Sequence, residues 1–158
     1  MLRTLSRKPV RQVPARVALV ASQYNARYVD GLVAGAVRVL AEAGGAPPEV
    51  FRVPGAFEIP VVVARLLRRR SAIRPEAILC LGVIWQGETP HAEHIGESIT
   101  AALMGLQVAA GVPCVHEVLV VNSAAQARAR CLAARTNRGR EAALTALAMV
   151  ELLRGLGR

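Results

Sequence analysis

Aromatic side chains are scarce in this chain: two Tyr, two Phe and one Trp make up 3% of its 158 residues. None interrupts the basic run holding Arg65, Arg68, Arg69 and Arg70, so that run lacks the stacking platforms of a single-stranded nucleic-acid site and reads as a solvated basic face. Lysine is scarcer still. Lys8 is the only one, in a start that reads as flexible, which argues against a Schiff base formed on the protein. Acidic residues are outnumbered 11 to 20 by Lys and Arg, for a net charge of +9, a balance that suits an acidic partner such as a phosphorylated substrate. The three cysteines, Cys80, Cys114 and Cys131, are an odd count without metal-ligand spacing. Two of them lie in apolar runs, where cysteine behaves as a small hydrophobe, and the set suits a reducing cytoplasm. No apolar stretch reaches the roughly 18 uninterrupted residues of a membrane span. The start carries Arg3, Arg7, Lys8, Arg11 and Arg16 without an acid, and lacks the apolar centre of a secretory signal. Residues 1–15 are expected to form a basic tail and residues 16–158 one domain, partnered by neither membrane nor nucleic acid.

What the chain does have is apolar material, 53% of it, arranged in a repeating order. The run Arg16 to Ser22 precedes a segment, Asp30 to Glu42, whose Leu32, Val33, Ala36, Val37 and Leu40 recur at helical spacing. The alternation returns at Val50 to Val53 then Phe57 to Arg70, at Ala77 to Val83 then His91 to Ala110, and at Pro113 to Val121 then Ser123 to Ala134. Asn137 to Leu153 adds a last helix. Continuous apolar strands alternating with amphipathic helices predict an α/β fold in three layers, with a four-stranded parallel sheet buried on both faces. Ligands of such sheets bind beyond the carboxyl ends of the strands. Tyr24, Phe57 and Trp85 all fall just after a predicted strand, which suggests an apolar wall suited to a planar ring.

Three segments carry the chemistry. After the third strand, Gly87-Glu88-Thr89-Pro90-His91 puts a glycine, a hydroxyl and a proline ahead of a helix. Free N–H groups at that helix start make an anion site, and His91 beside it is suited to moving protons. After the second strand, Val53-Pro54-Gly55-Ala56-Phe57-Glu58-Ile59-Pro60 offers a glycine for close backbone approach and a carboxylate that could favour the helix dipole or accept ligand hydroxyls. Near the C-terminus Arg130, Arg135, Arg138 and Arg140 gather around Thr136-Asn137, where a guanidinium could grip phosphate. His91, His94 and Glu97 share a helical face at metal-ligand spacing, but an ordinary exposed face has the same period and nothing nearby completes a shell, so no metal is expected.

Together these segments, with Asn137-Arg138-Gly139-Arg140-Glu141-Ala142-Ala143, resemble the 6,7-dimethyl-8-ribityllumazine synthase family in order and spacing from about Val17 to Leu153. The resemblance implies a flavodoxin-like α/β/α sandwich and a condensation of 5-amino-6-(D-ribitylamino)uracil with 3,4-dihydroxy-2-butanone 4-phosphate, with no metal or redox cofactor. It assigns Tyr24 to stacking on the pyrimidine, and Ala56, Phe57 and Glu58 to the pyrimidine and ribityl pocket. Val83, Ile84 and Trp85 would hold ring and ribityl edge through backbone contacts, Glu88, Thr89 and Arg130 the phosphate, and His91 the moving protons. It further implies a homo-pentamer or a multiple of pentamers, with His116, Arg130 and Arg138 supplied to each site by the adjacent chain. Several positions depart from the family pattern: His116 stands where an aromatic is usual, Gln86 for a frequent arginine, Arg138 for a lysine, and Ala92-Glu93-His94 for a Phe-Asp-Tyr-like run. A catalytically weak lumazine- or riboflavin-binding, or shell-forming, paralogue is the alternative those departures allow.

Overall fold

The strands Val17–Ser22 (β1), Glu49–Val53 (β2), Ala77–Trp85 (β3) and Cys114–Val121 (β4) form one parallel sheet in the order β2-β1-β3-β4. The computed structural model describes residues 11–157, so the tail residues Arg3, Arg7 and Lys8 lie outside the described part. β1 is buried at every position and β3 over its first seven, because both are central and covered on two faces. Strand alternation divides the core. Leu19, Ala21, Leu79, Leu81 and Val121 face one layer, and Ala18, Val20, Ile78, Cys80 and Val118 the other.

Helices Ala26–Glu42 (α1), Ala124–Cys131 (α4) and Arg138–Leu156 (α5) cover the first face; Ile59–Leu67 (α2) and His91–Ala110 (α3) cover the second. The expected three-layer α/β fold is the observed one, and its strand order is that of a flavodoxin-like sheet. Helix boundaries differ where local chemistry decides them. α1 starts four residues before Asp30 because Asn25 takes a left-handed conformation, φ 60°, and sets the turn from which the helix grows. The segment from Phe57 to Arg70 is a 3-10 turn, Ala56–Glu58, followed by an α-helix that closes at Leu67, so of the four arginines only Arg65 belongs to its last turn. α4 and α5 are capped by Ser123 and Asn137, whose side chains accept from the Gln126 and Arg140 N–H groups.

Packing of α1 on α5 is unusually close. An atom placed at Cβ of Gly139 would lie 1.9 Å from the Leu32 carbonyl oxygen, and one at Gly35 would lie 2.2 Å from Asn137 Oδ1. Asn137 fills the resulting crevice, donating to the Gly31 and Cys131 carbonyls at 3.0 and 2.5 Å. Residues just before β1 also pack on the domain: Val13 and Ala15 are buried, and Arg11 pairs with Glu151 at 2.9 Å. The three cysteines are free and buried. Among the described residues no helix is long and apolar enough to cross a membrane.

Candidate active site

At the carboxyl edge of the sheet the first two loops are laced together. The Gln23 N–H donates to the Val53 carbonyl at 2.8 Å and the Tyr24 N–H to the Pro54 carbonyl at 3.1 Å. Gly55 then donates its N–H to Glu58 Oε2 at 2.9 Å, fixing the carboxylate over the turn. A Cβ at Gly55 would sit 2.8 Å from that oxygen and 3.2 Å from the Tyr24 ring, so only glycine lets the ring, the backbone and the carboxylate come together. Tyr24 and Phe57 stay 69% and 60% exposed around this cluster, large apolar surfaces left uncovered at a place where the sheet is already open to ligands.

Close to them lies a residue that no sequence pattern singles out. Ser22, the last residue of β1, is buried, and its hydroxyl is the one buried side-chain polar atom among the described residues without a hydrogen-bond partner. A Cβ on Gly82 would lie 3.3 Å from this hydroxyl and from Ala56, which places it beside the turn that carries Phe57 and Glu58. Buried polar groups are nearly always paired, and this one at the carboxyl end of β1 is not.

The end of β3 is held from the side. Asn25 Nδ2 donates to the Val83 carbonyl at 2.8 Å, and Asn25 Oδ1 accepts from the Trp85 indole N–H at 2.8 Å. Tyr28 meets the indole edge-on, with centroids 5.8 Å apart and planes at 78°. Trp85 is therefore a clamped ring rather than a free wall, and Asn25 and Tyr28 are positioning residues that sequence reading missed. The only sequence signal was an asparagine just before a helix, a residue that tolerates left-handed backbone. Beyond Trp85, the Gln86 side chain donates to the Gly87 and Thr89 carbonyls at 3.2 and 3.3 Å and shapes the loop. Glu88, Thr89 and His91 are exposed there, with Pro90 at the N-cap of α3. Unlike α4 and α5, α3 has no side-chain cap, so its first N–H groups remain free for an anion.

The three remaining residues lie on the open edge strand β4 and beyond it. His116 is half-buried against α3, its Nε2 3.0 Å from Thr100 Oγ1 and its Nδ1 accepting the Val118 N–H at 3.4 Å. Because the Thr100 hydroxyl donates to the Gly96 carbonyl at 2.7 Å, the pattern closes with the proton on Nε2. Burial lowers the His116 pKa from the ordinary imidazole range. Glu117, the next residue, points to the other face and is gripped by Arg138 through Nε at 3.2 Å and Nη2 at 2.9 Å, while Nη1 bonds Glu141. Burial raises the Glu117 pKa although the Arg138 guanidinium opposes it. For Arg138 burial alone would weaken the charge, but the Glu117 and Glu141 carboxylates outweigh it and raise its pKa. Arg130 is exposed on the last turn of α4. One chain thus gathers Tyr24, Ala56, Phe57, Glu58, Val83, Ile84 and Trp85 on adjoining strand ends, with Glu88, Thr89 and His91 on the loop after β3. His116 and Glu117 point to opposite faces of β4, so His116 lies against α3 and Arg138, which holds Glu117, on the α5 side.

A flavodoxin-like sheet with exposed aromatics, a turn-anchored carboxylate and an uncapped helix start at its carboxyl edge has the architecture of a small-molecule α/β enzyme. Comparison with known proteins narrows the class. The family model described as 6,7-dimethyl-8-ribityllumazine synthase matches residues 14–154. Proteins of that name are similar throughout: one from Stenotrophomonas maltophilia (strain R551-3) is 46% identical over 144 residues, covering 90% of this chain and 91% of its own. One from Kineococcus radiotolerans is 43% identical over 143 residues, covering 89% and 86%, and one from Xylella fastidiosa is 41% identical over 149 residues, covering 93% and 95%. The chain belongs to the 6,7-dimethyl-8-ribityllumazine synthase family.

Proposed function

We propose that this protein condenses 5-amino-6-(D-ribitylamino)uracil with 3,4-dihydroxy-2-butanone 4-phosphate to 6,7-dimethyl-8-ribityllumazine, releasing phosphate and water, in the cytoplasm. The reading is carried by the juxtaposition of the Tyr24, Gly55 and Glu58 cluster with the uncapped start of α3 at one sheet edge. Tyr24 stacks on the pyrimidine, and Ala56, Phe57 and the free oxygen of Glu58 receive the ring and ribityl chain. Val83, Ile84 and Trp85 align them through the backbone that Asn25 steadies. Glu88, Thr89 and the α3 N–H groups take the phosphate, with Arg130 completing charge neutralisation. The pyrimidine amine attacks the ketone of the second substrate, so no lysine of the protein is needed. His91 removes and returns protons as the imine forms, as phosphate leaves and as the ring closes. Holding two substrates in reacting geometry supplies most of the acceleration, on the order of 7 to 11 kcal/mol.

The site needs a second copy of the chain. Arg130, His116 and the Arg138–Glu117 pair sit on or near the open β4 edge, away from the cleft end of their own β1 and β2, and would serve the neighbour's cleft. Exposed Met104 and Val108 on α3 supply apolar surface for such an assembly, a pentamer or a multiple of pentamers. Incubation of the purified protein with both substrates, followed by lumazine absorbance and fluorescence, is the test. Product formation with phosphate release is expected. Tight lumazine or riboflavin binding without turnover would overturn the enzyme assignment in favour of a binding or shell-forming paralogue.

A further inference from the structure

The opposite end of the sheet carries a cavity of about 240 Å3, lined among others by Arg16, Ser71, Arg74, Glu76, Val112 and Arg154. Arg16 precedes β1, Glu76 precedes β3 and Val112 stands just before β4, so this cavity opens at the amino ends of the strands, across the domain from the cleft described above. Its single lining carboxylate is fully occupied. Glu76 Oε2 accepts the Arg16 backbone N–H at 3.0 Å, and Oε1 accepts Nε and Nη2 of Arg154 at 3.0 and 2.8 Å. Burial works against the Glu76 charge, but these donors and the Arg16 and Arg154 charges outweigh it and hold its pKa below the usual carboxylate value. Glu76 and Arg154 therefore neutralise each other.

Two cations remain. The Arg16 guanidinium donates to the Arg74 and Ser71 carbonyls, both at 3.4 Å, which orients the group while leaving its charge intact. Arg74 is anchored by its own N–H to the Arg70 carbonyl at 2.8 Å, and its side chain makes no ion pair among the described residues. Val112, Val150, Leu153 and Pro75 form the apolar part of the wall, which lowers the local dielectric and strengthens attraction for an incoming anion. The space is several times the roughly 30 Å3 share of one water molecule, enough for a tetrahedral oxyanion with hydration. Guanidinium forks match such oxygens in pairs.

We propose that this cavity is a second anion site, taking a phosphate-type dianion, either inorganic phosphate or a phosphate monoester. It is separate from the phosphate position at the start of α3, and it links the strand amino ends, the Arg70 to Glu76 turn and the end of α5 through one ligand. The assembled full-length protein is titrated calorimetrically with orthophosphate and, separately, with glycerol phosphate, against potassium chloride at matched ionic strength. Two phosphate sites per chain are expected in the unmodified protein. Arg74→Gln should weaken one of them by tenfold or more while product formation stays unchanged, and Arg74→Lys, which keeps the charge and loses the fork, should weaken it less. Arg130→Gln should weaken only the other, which keeps failure of this site distinct from failure of the proposed active site. Preference for orthophosphate or for the ester identifies the source of the ligand. A titration of Arg74→Gln that matches the unmodified protein, with native mass unchanged, overturns the proposal.

Discussion

His116 shows how one residue can be placed by burial and still matter for pH. Its neutral ring satisfies a closed sequence of donors, from the Val118 N–H to Nδ1 and from Nε2 to Thr100. Protonation puts a second donor against the Val118 N–H, and burial already disfavours the cation. Glu93 and Glu97 of α3 line the same groove, yet the pKa stays lowered by burial. The folded pKa lies below 6.5, the ordinary value, so between the two the unfolded chain binds more protons. Stability should therefore fall as pH drops below about 6.5 towards the lower folded value, and be fully present above it. Thermal unfolding of His116→Phe across pH 7.5 to 5.5 should show a flatter profile than the unmodified chain. Equal slopes for the two would assign the effect to another group.

At the scale of elements, the contact of α1 with α5 leaves almost no freedom. Gly139→Ala would drive a methyl into the Leu32 carbonyl, 1.9 Å away in the unmoved backbone. Overpacking of this kind costs typically 1–3 kcal/mol, and here the obstacle is backbone of the facing helix, so about 3 kcal/mol is expected. Urea unfolding should show the midpoint shift with an unchanged slope. Gly105→Ala is the control: it lies on α3 with nothing within 4 Å of the added carbon, and should stabilise or leave the protein unaffected. The Gly139 result also bears on the active site, because α5 carries Arg138 and its displacement would loosen the hold on Glu117.

For the whole molecule, the decisive question is whether a site is shared between copies. His91→Ala alone should lower turnover on the order of 100-fold with native mass unchanged, and Arg130→Ala should weaken the phosphate-bearing substrate. Co-expressed in one assembly, the two variants rebuild intact sites wherever a chain with His91 meets a neighbour with Arg130. In a head-to-tail ring of randomly mixed chains roughly a quarter of the sites recover. Activity no greater than either variant alone would place the site within a single chain. The sequence by itself determined the α/β class, the four strands and the family, because periodicity and short motifs are local and survive without coordinates. The identity of Tyr24, Glu58, Thr89 and His91 as site candidates was legible for the same reason: each lies between the end of a strand and the first turn of the helix that follows. What only the tertiary structure decided is what those groups touch. Asn25 bridging Val83 and Trp85 spans 60 positions, Arg138 reaching Glu117 spans 21, and the Arg16, Arg74 and Arg154 cavity joins three distant segments. Such pairings are set by how helices lie on a sheet, and a linear pattern of residue types holds no measure of that distance.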